Sequence, residues 1–103
     1  MKKLPQEITI MGLKWRIEAS KLASDSSQTF GSTICRTQTI TIDPEAPFQY
    51  QQKTLLHEIL HACWWQTGLT KDENIKQENE EKIIHALSSA LFQVLKENNI
   101  KFS

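Results

Sequence analysis

His57 and His61 stand four residues apart, with Glu58 directly after the first, in the stretch Thr54-Leu55-Leu56-His57-Glu58-Ile59-Leu60-His61-Ala62. On a helix that spacing puts both imidazoles on one face, one turn apart, where both can reach a single tetrahedral metal ion. Glu58 is rotated away from the metal itself, yet can reach a water bound to it and take its proton as general base. His57 and His61 are therefore the expected ligands, Zn2+ the expected ion and Glu58 the expected catalytic residue. Two plainer readings stand against this: a chance match with both histidines solvated, and a purely structural metal. Two histidines and one carboxylate leave a fourth position for water, as catalytic zinc sites do, which favours chemistry over a structural ion.

The element that must carry these residues is a helix running from just after Pro47 to about Thr67, with Gly68 placed to take the left-handed terminating conformation. At about 100° per residue, Leu55, Leu56, Ile59, Leu60, Ala62 and Cys63 gather in one stripe, and His57, Glu58 and His61 fall opposite it. A second helix is expected over about 76–97, ending at Asn98-Asn99, with Ile83, Ile84, Leu87, Ala90, Leu91, Val94 and Leu95 as its buried stripe.

A third protein ligand is needed, and Glu78, Glu80 and Glu81 open that second helix. With Ile83 at zero, the apolar stripe centres near about 50°, Glu80 falls near about 60°, Glu81 near about 160° and Glu78 near about 220°. Only Glu80 points into the expected interface, and a carboxylate there is costly unless paired or metal-bound. Glu80 is thus the expected third ligand, and Glu81 gains if the helix starts later or bends. A solvated first turn, in which acids favour the helix dipole, is the bland alternative for all three.

Upstream, residues 7–19 alternate on both sides of Met11-Gly12, with Ile8 and Ile10 before it and Leu13, Trp15 and Ile17 after it, which reads as a hairpin. Residues 21–28 are rich in Ser and Asp and read as a loop. Residues 30–43 hold a third and a fourth strand, the clearest being Gln38-Thr39-Ile40-Thr41-Ile42 before Asp43-Pro44. Strands first and helices second give an α+β fold: a small mainly antiparallel or mixed sheet of three to four strands with two main helices on one face. At 103 residues the chain is read as a single domain spanning residues 1–103.

The stretch 54–62, followed nineteen positions after His61 by Glu80-Glu81-Lys82-Ile83-Ile84, resembles the small gluzincin-like metallopeptidases. In particular it is similar to the minimal phage and prophage relatives of the ImmA/IrrE peptidase family, over about residues 28–98. The resemblance implies a zincin-like fold with two histidines and a glutamate of the following helix on zinc, and a motif glutamate that activates water. Those roles would fall to His57, His61, Glu80 or Glu81, and Glu58. The domains through which longer members sense signals or bind DNA have no counterpart here, so their regulatory role is not implied.

Twelve basic residues balance twelve acidic ones, which removes the global field that draws a chain to nucleic acid or anionic lipid. No apolar run approaches a bilayer span and no signal-peptide core opens the chain, so a cytoplasmic monomer with reduced, inert Cys35 and Cys63 is expected. Trp65, one turn after His61, either walls the cleft or fills the core. His85 and Tyr50 are candidates for oxyanion stabilisation. The reading is zinc-dependent hydrolysis of a peptide or protein substrate, fed by β-addition along the strand at 38–42. The alternative from another class is a non-catalytic zincin-fold module that binds a protein.

Overall fold

Met11 and Gly12 both adopt left-handed backbone, φ 48° and 86°, and turn the chain tightly between β1 (Glu7–Ile10) and β2 (Leu13–Ala19). Positive φ at both central residues matches the twist of an antiparallel hairpin, which is why the expected turn forms here. The computed structural model describes residues 3–21 and 30–100; apart from Lys21, the loop expected at 21–28 lies outside them.

Two further strands follow, β3 (Gly31–Ile34) and β4 (Thr39–Ile42), separated by one 3-10 turn at Cys35–Thr37. The sheet order is β1-β2-β4-β3, with β2 and β4 parallel and both other pairings antiparallel. The fold is therefore α+β with a mixed four-stranded sheet.

One expectation is overturned. Substrate addition along the strand at 38–42 requires an exposed edge there, whereas β4 lies between β2 and β3 and all four of its residues are buried. Its Ile/Thr alternation marks two faces, not one wet face. Thr41 Oγ1 pairs with Ser32 Oγ, and Thr39 Oγ1 pairs with Thr37, so the threonine face is buried with its hydroxyls satisfied. The edge is β3.

Strand register decides what faces the helices. Ile8 sits opposite Trp15, Ile17 opposite Ile40, and Ile40 and Ile42 opposite Thr33 and Gly31. These residues share one face of the sheet because side chains alternate along every strand. On that face Ile10, Trp15, Ile40 and Ile42 form the core with Leu55 and Ala62 of α1 (Phe48–Gln66). Trp15 is fully buried and its indole N–H donates to Gln66 Oε1 at 2.6 Å, while Gln66 Nε2 donates to the Ile10 carbonyl at 2.9 Å. The hairpin is thereby tied to the end of α1.

α1 starts after Pro47 and stops where Gly68 takes φ 84°, as the punctuation of the sequence implies. It lies against β3 and β4, and α2 (Gln77–Asn98) packs on α1 and ends at Asn99 with φ 48°.

The phase of α2 differs from the expected one. Its buried residues are Ile84 and Ser88, while Ile83, Leu87, Leu91, Val94 and Leu95 are exposed, Leu87 by 52 %. The contact face is thus rotated by about 70° from the centre of the apolar stripe. Among the described residues, no helix is long and apolar enough to cross a membrane.

Candidate metal centre

Close approach of α1 to the edge strand begins at a glycine. A Cβ at Gly31 would stand 2.7 Å from the Thr41 carbonyl oxygen and 2.7 Å from the Thr54 methyl, so a side chain there would drive β3 and α1 apart. Two residues along the same face, Thr33 reaches Glu58: its hydroxyl donates to Glu58 Oε1 at 2.6 Å, and the Glu58 carbonyl lies 3.0 Å away. Glu58 is only 7 % exposed. The polar side of α1 is therefore no open front but the floor of a groove between β3 and α2.

The structure brings His57, His61 and Glu81 together. Their ligating atoms lie within 4.8 Å of one another: the two Nε2 atoms are 3.3 Å apart, Glu81 Oε1 is 2.8 Å from His57 Nε2, and Glu81 Oε2 is 2.8 Å from His61 Nε2. Glu80, the expected third ligand, stands elsewhere. Its Oε2 lies 2.6 Å from His61 Nδ1, on the far side of that ring. The correction follows from the helix phase. Measured from the face centred on Ile84 and Ser88, Glu81 lies about 40° to one side and Glu80 about 60° to the other, so both flank the contact with α1. One then meets the convergent nitrogens and the other the outer nitrogen of His61.

Ser88, fully buried, donates its hydroxyl to the His85 carbonyl at 3.2 Å, which leaves its oxygen to accept from His57 Nδ1 at 3.3 Å. The Glu80 carboxylate accepts from His61 Nδ1 at 2.6 Å. In the tautomer with both Nδ1 atoms protonated, each Nε2 turns a lone pair toward the other and toward Glu81, a donor set that a cation satisfies. Two nitrogens at about 2.0–2.1 Å from a tetrahedral zinc ion are about 3.3–3.4 Å apart, close to the observed Nε2 separation. The chemistry of the donor set and the spacing of its two nitrogens fit zinc, while the Glu81 oxygens, 2.8 Å from the Nε2 atoms, stand at hydrogen-bonding distance; Glu80 and Ser88 are the partners that orient the two imidazoles.

Burial pushes the Glu58 carboxyl above its ordinary range, against the opposing effects of the Thr33 hydrogen bond and the nearby His61 and His57; the Glu81 charge adds to the rise. That is the direction in which a general base gains proton affinity. Both thiols are free, and burial raises Cys35 and Cys63; Glu80 raises Cys35 further.

Two cavities meet at Glu58 and His61. The larger, about 480 Å³, runs past His57 and Ser88 to Phe30, Tyr50, Lys53 and His85. The smaller, about 270 Å³, is bounded by Thr33, Cys35, Trp65, Thr70 and Glu80. His57, His61 and Glu58 thus lie midway along a groove rather than at a blind end. Trp65 walls the second cavity and also packs edge-on against Trp15, with ring centroids 6.2 Å apart. His85 and Tyr50 both line the first cavity, the His85 ring 6.2 Å from that of His57. Thr33 and Ser88 carry no signal in the sequence, because nothing local distinguishes them from other hydroxyl residues.

Comparison of the chain with protein families, with curated proteins and with solved structures gave no match.

Proposed function

We propose that the protein is a zinc-dependent peptidase of the zincin type, in which His57, His61 and Glu81 hold the metal and Glu58 is the general base. The observation that carries this reading is the convergence of two Nε2 atoms and one carboxylate beside a buried glutamate. Zinc, when bound, polarises a carbonyl and lowers the pKa of water.

Glu58 takes the proton of the attacking water and returns it to the departing amine. Thr33 holds the Glu58 carboxylate at 2.6 Å throughout, leaving its other oxygen for proton transfer. Glu80 and Ser88 keep both imidazoles from rotating, so the ligands are set before metal arrives. His85, whose ring centroid is 6.2 Å from that of His57, is the nearer of the two candidates to donate to the developing oxyanion.

An extended substrate adds to β3, whose outer edge has no strand partner among the described residues, and not to β4. Main-chain pairing there lays the peptide across Thr33 and Glu58. The protein works in the cytoplasm, where its two free thiols stay reduced.

The test is metal content with turnover: the protein takes up one zinc ion and cleaves an unstructured protein substrate, and chelation stops cleavage. Stoichiometric zinc without hydrolysis across many substrates would replace this reading with that of a zincin-fold binding module.

A further inference from the structure

The larger cavity is chemically lopsided. At the metal end Glu58 is held by Thr33, and Glu81 stands 2.8 Å from each of the two imidazoles. At the other end Phe30 and Tyr50 stack with ring centroids 6.2 Å apart and planes 16° from parallel, and Lys53 lies beside them. Lys53 is half-buried, has no ion pair or hydrogen bond with any described residue, and precedes His57 by one helical turn on the same face of α1. An ammonium that lines a cleft with no counter-charge among the described residues attracts an anion, and a carboxylate is the anion that a peptide carries.

From these features the geometry points to Lys53 as a specificity residue that binds a substrate carboxylate, with the Phe30–Tyr50 wall covering the apolar part of the same residue. This rests on the peptidase reading of the neighbouring metal centre. One helical turn is about 5.4 Å, the span of one to two residues of extended chain at about 3.3 Å each. The carboxylate therefore belongs to a residue one or two positions from the cleaved bond. It comes either from an acidic side chain or from the carboxyl terminus of the substrate.

The experiment is peptide binding by fluorescence anisotropy to full-length Glu58→Gln protein, with and without zinc, so that the probe is not consumed. The probes are labelled octapeptides of one fixed sequence in which Glu, Gln or Lys is walked through each position, with free or amidated carboxyl termini. The expected result is at least about tenfold tighter binding of the carboxylate-bearing member at one position or at the terminus, the size of one charge-assisted hydrogen bond. That preference disappears in Lys53→Gln and inverts toward the Lys peptide in Lys53→Glu. A side-chain preference assigns an acidic subsite; a preference for the free over the amidated terminus assigns an end-trimming enzyme. Equal binding of Glu, Gln and Lys peptides, a preference that survives Lys53→Gln, or no binding of any peptide would overturn the assignment. Cleavage by the zinc-loaded parent is measured on the same peptides. Its absence with the Lys53-dependent preference intact sinks the peptidase reading and leaves the carboxylate site standing.

Discussion

Replacing Glu81 and Glu80 in turn by Gln separates a metal ligand from the group that orients one. Among the described residues the Glu80 carboxylate hydrogen-bonds only His61 Nδ1, at 2.6 Å with its side chain 19 % exposed, so its loss should free the ring without removing a proposed ligand. Changes of that kind weaken metal binding by about 10–100-fold, equivalent to about 1.4–2.7 kcal/mol. Glu81 spans both Nε2 atoms and brings the only formal negative charge among the three converging groups. Its side chain is 65 % exposed, so solvent screens it before metal arrives, yet its loss removes a ligand outright. Glu81→Gln should therefore exceed the range for Glu80→Gln and weaken zinc by more than about 100-fold. Zinc affinity is read by competition with a chromophoric chelator at neutral pH, on proteins shown to be folded without metal. If Glu80→Gln weakens zinc more than Glu81→Gln does, the phase of α2 described above is wrong at its first turn.

Thr33→Val removes the hydrogen bond to a buried carboxylate and should cost about 1.5–3 kcal/mol of metal-free stability, measured by denaturant unfolding, with zinc affinity unchanged and Thr33→Ser restoring the loss. Gly31→Ala forces a Cβ within 2.7 Å of backbone and should destabilise by about 1–3 kcal/mol and slow hydrolysis by moving β3 away from Glu58; unchanged stability would contradict the close packing. Because the native Glu58 carboxyl is raised, the metal-free native state binds more protons than the unfolded chain between the ordinary value of 4.5 and the raised one. Its contribution to stability thus falls as pH rises through that window and is flat above it. The difference between the stability-pH curves of the parent and Glu58→Gln should show that slope, and parallel curves would refute it. Raised pKa values at Cys35 and Cys63 predict slower native alkylation at neutral pH than in denaturant, followed by mass spectrometry; equal rates would contradict this.

Much of the fold is written locally. Met11-Gly12, Pro47, Gly68 and Asn98-Asn99 mark boundaries because each has a backbone preference that acts whatever surrounds it. The proximity of His57, Glu58 and His61 was legible for a similar reason, since helical spacing alone brings two imidazoles together on one face. The third carboxylate was not. The apolar stripe of α2 sets the expected phase, but α2 meets α1 through Ile84 and Ser88 and leaves Ile83, Leu87, Leu91 and Val94 in solvent. Where the contact face is narrow and partly polar, hydrophobic phase does not report it. Strand order escaped for a different reason: insertion of β4 between β2 and β3 is a long-range event, and buried threonines look like exposed ones until their hydroxyl partners are known. Ser88 and Thr33 are the same case at the site, hydroxyls whose roles there come from partners 31 and 25 residues away.

The most direct measurement compares the parent protein and Glu58→Gln, both loaded with zinc to equal content, on one unstructured protein substrate analysed by mass spectrometry. Metal-dependent hydrolysis driven by Glu58 predicts cleavage fragments from the parent, none above background from the variant, and loss of the parent's fragments on chelation. Equal cleavage by the variant, or an intact substrate after prolonged incubation with the zinc-loaded parent, would contradict it.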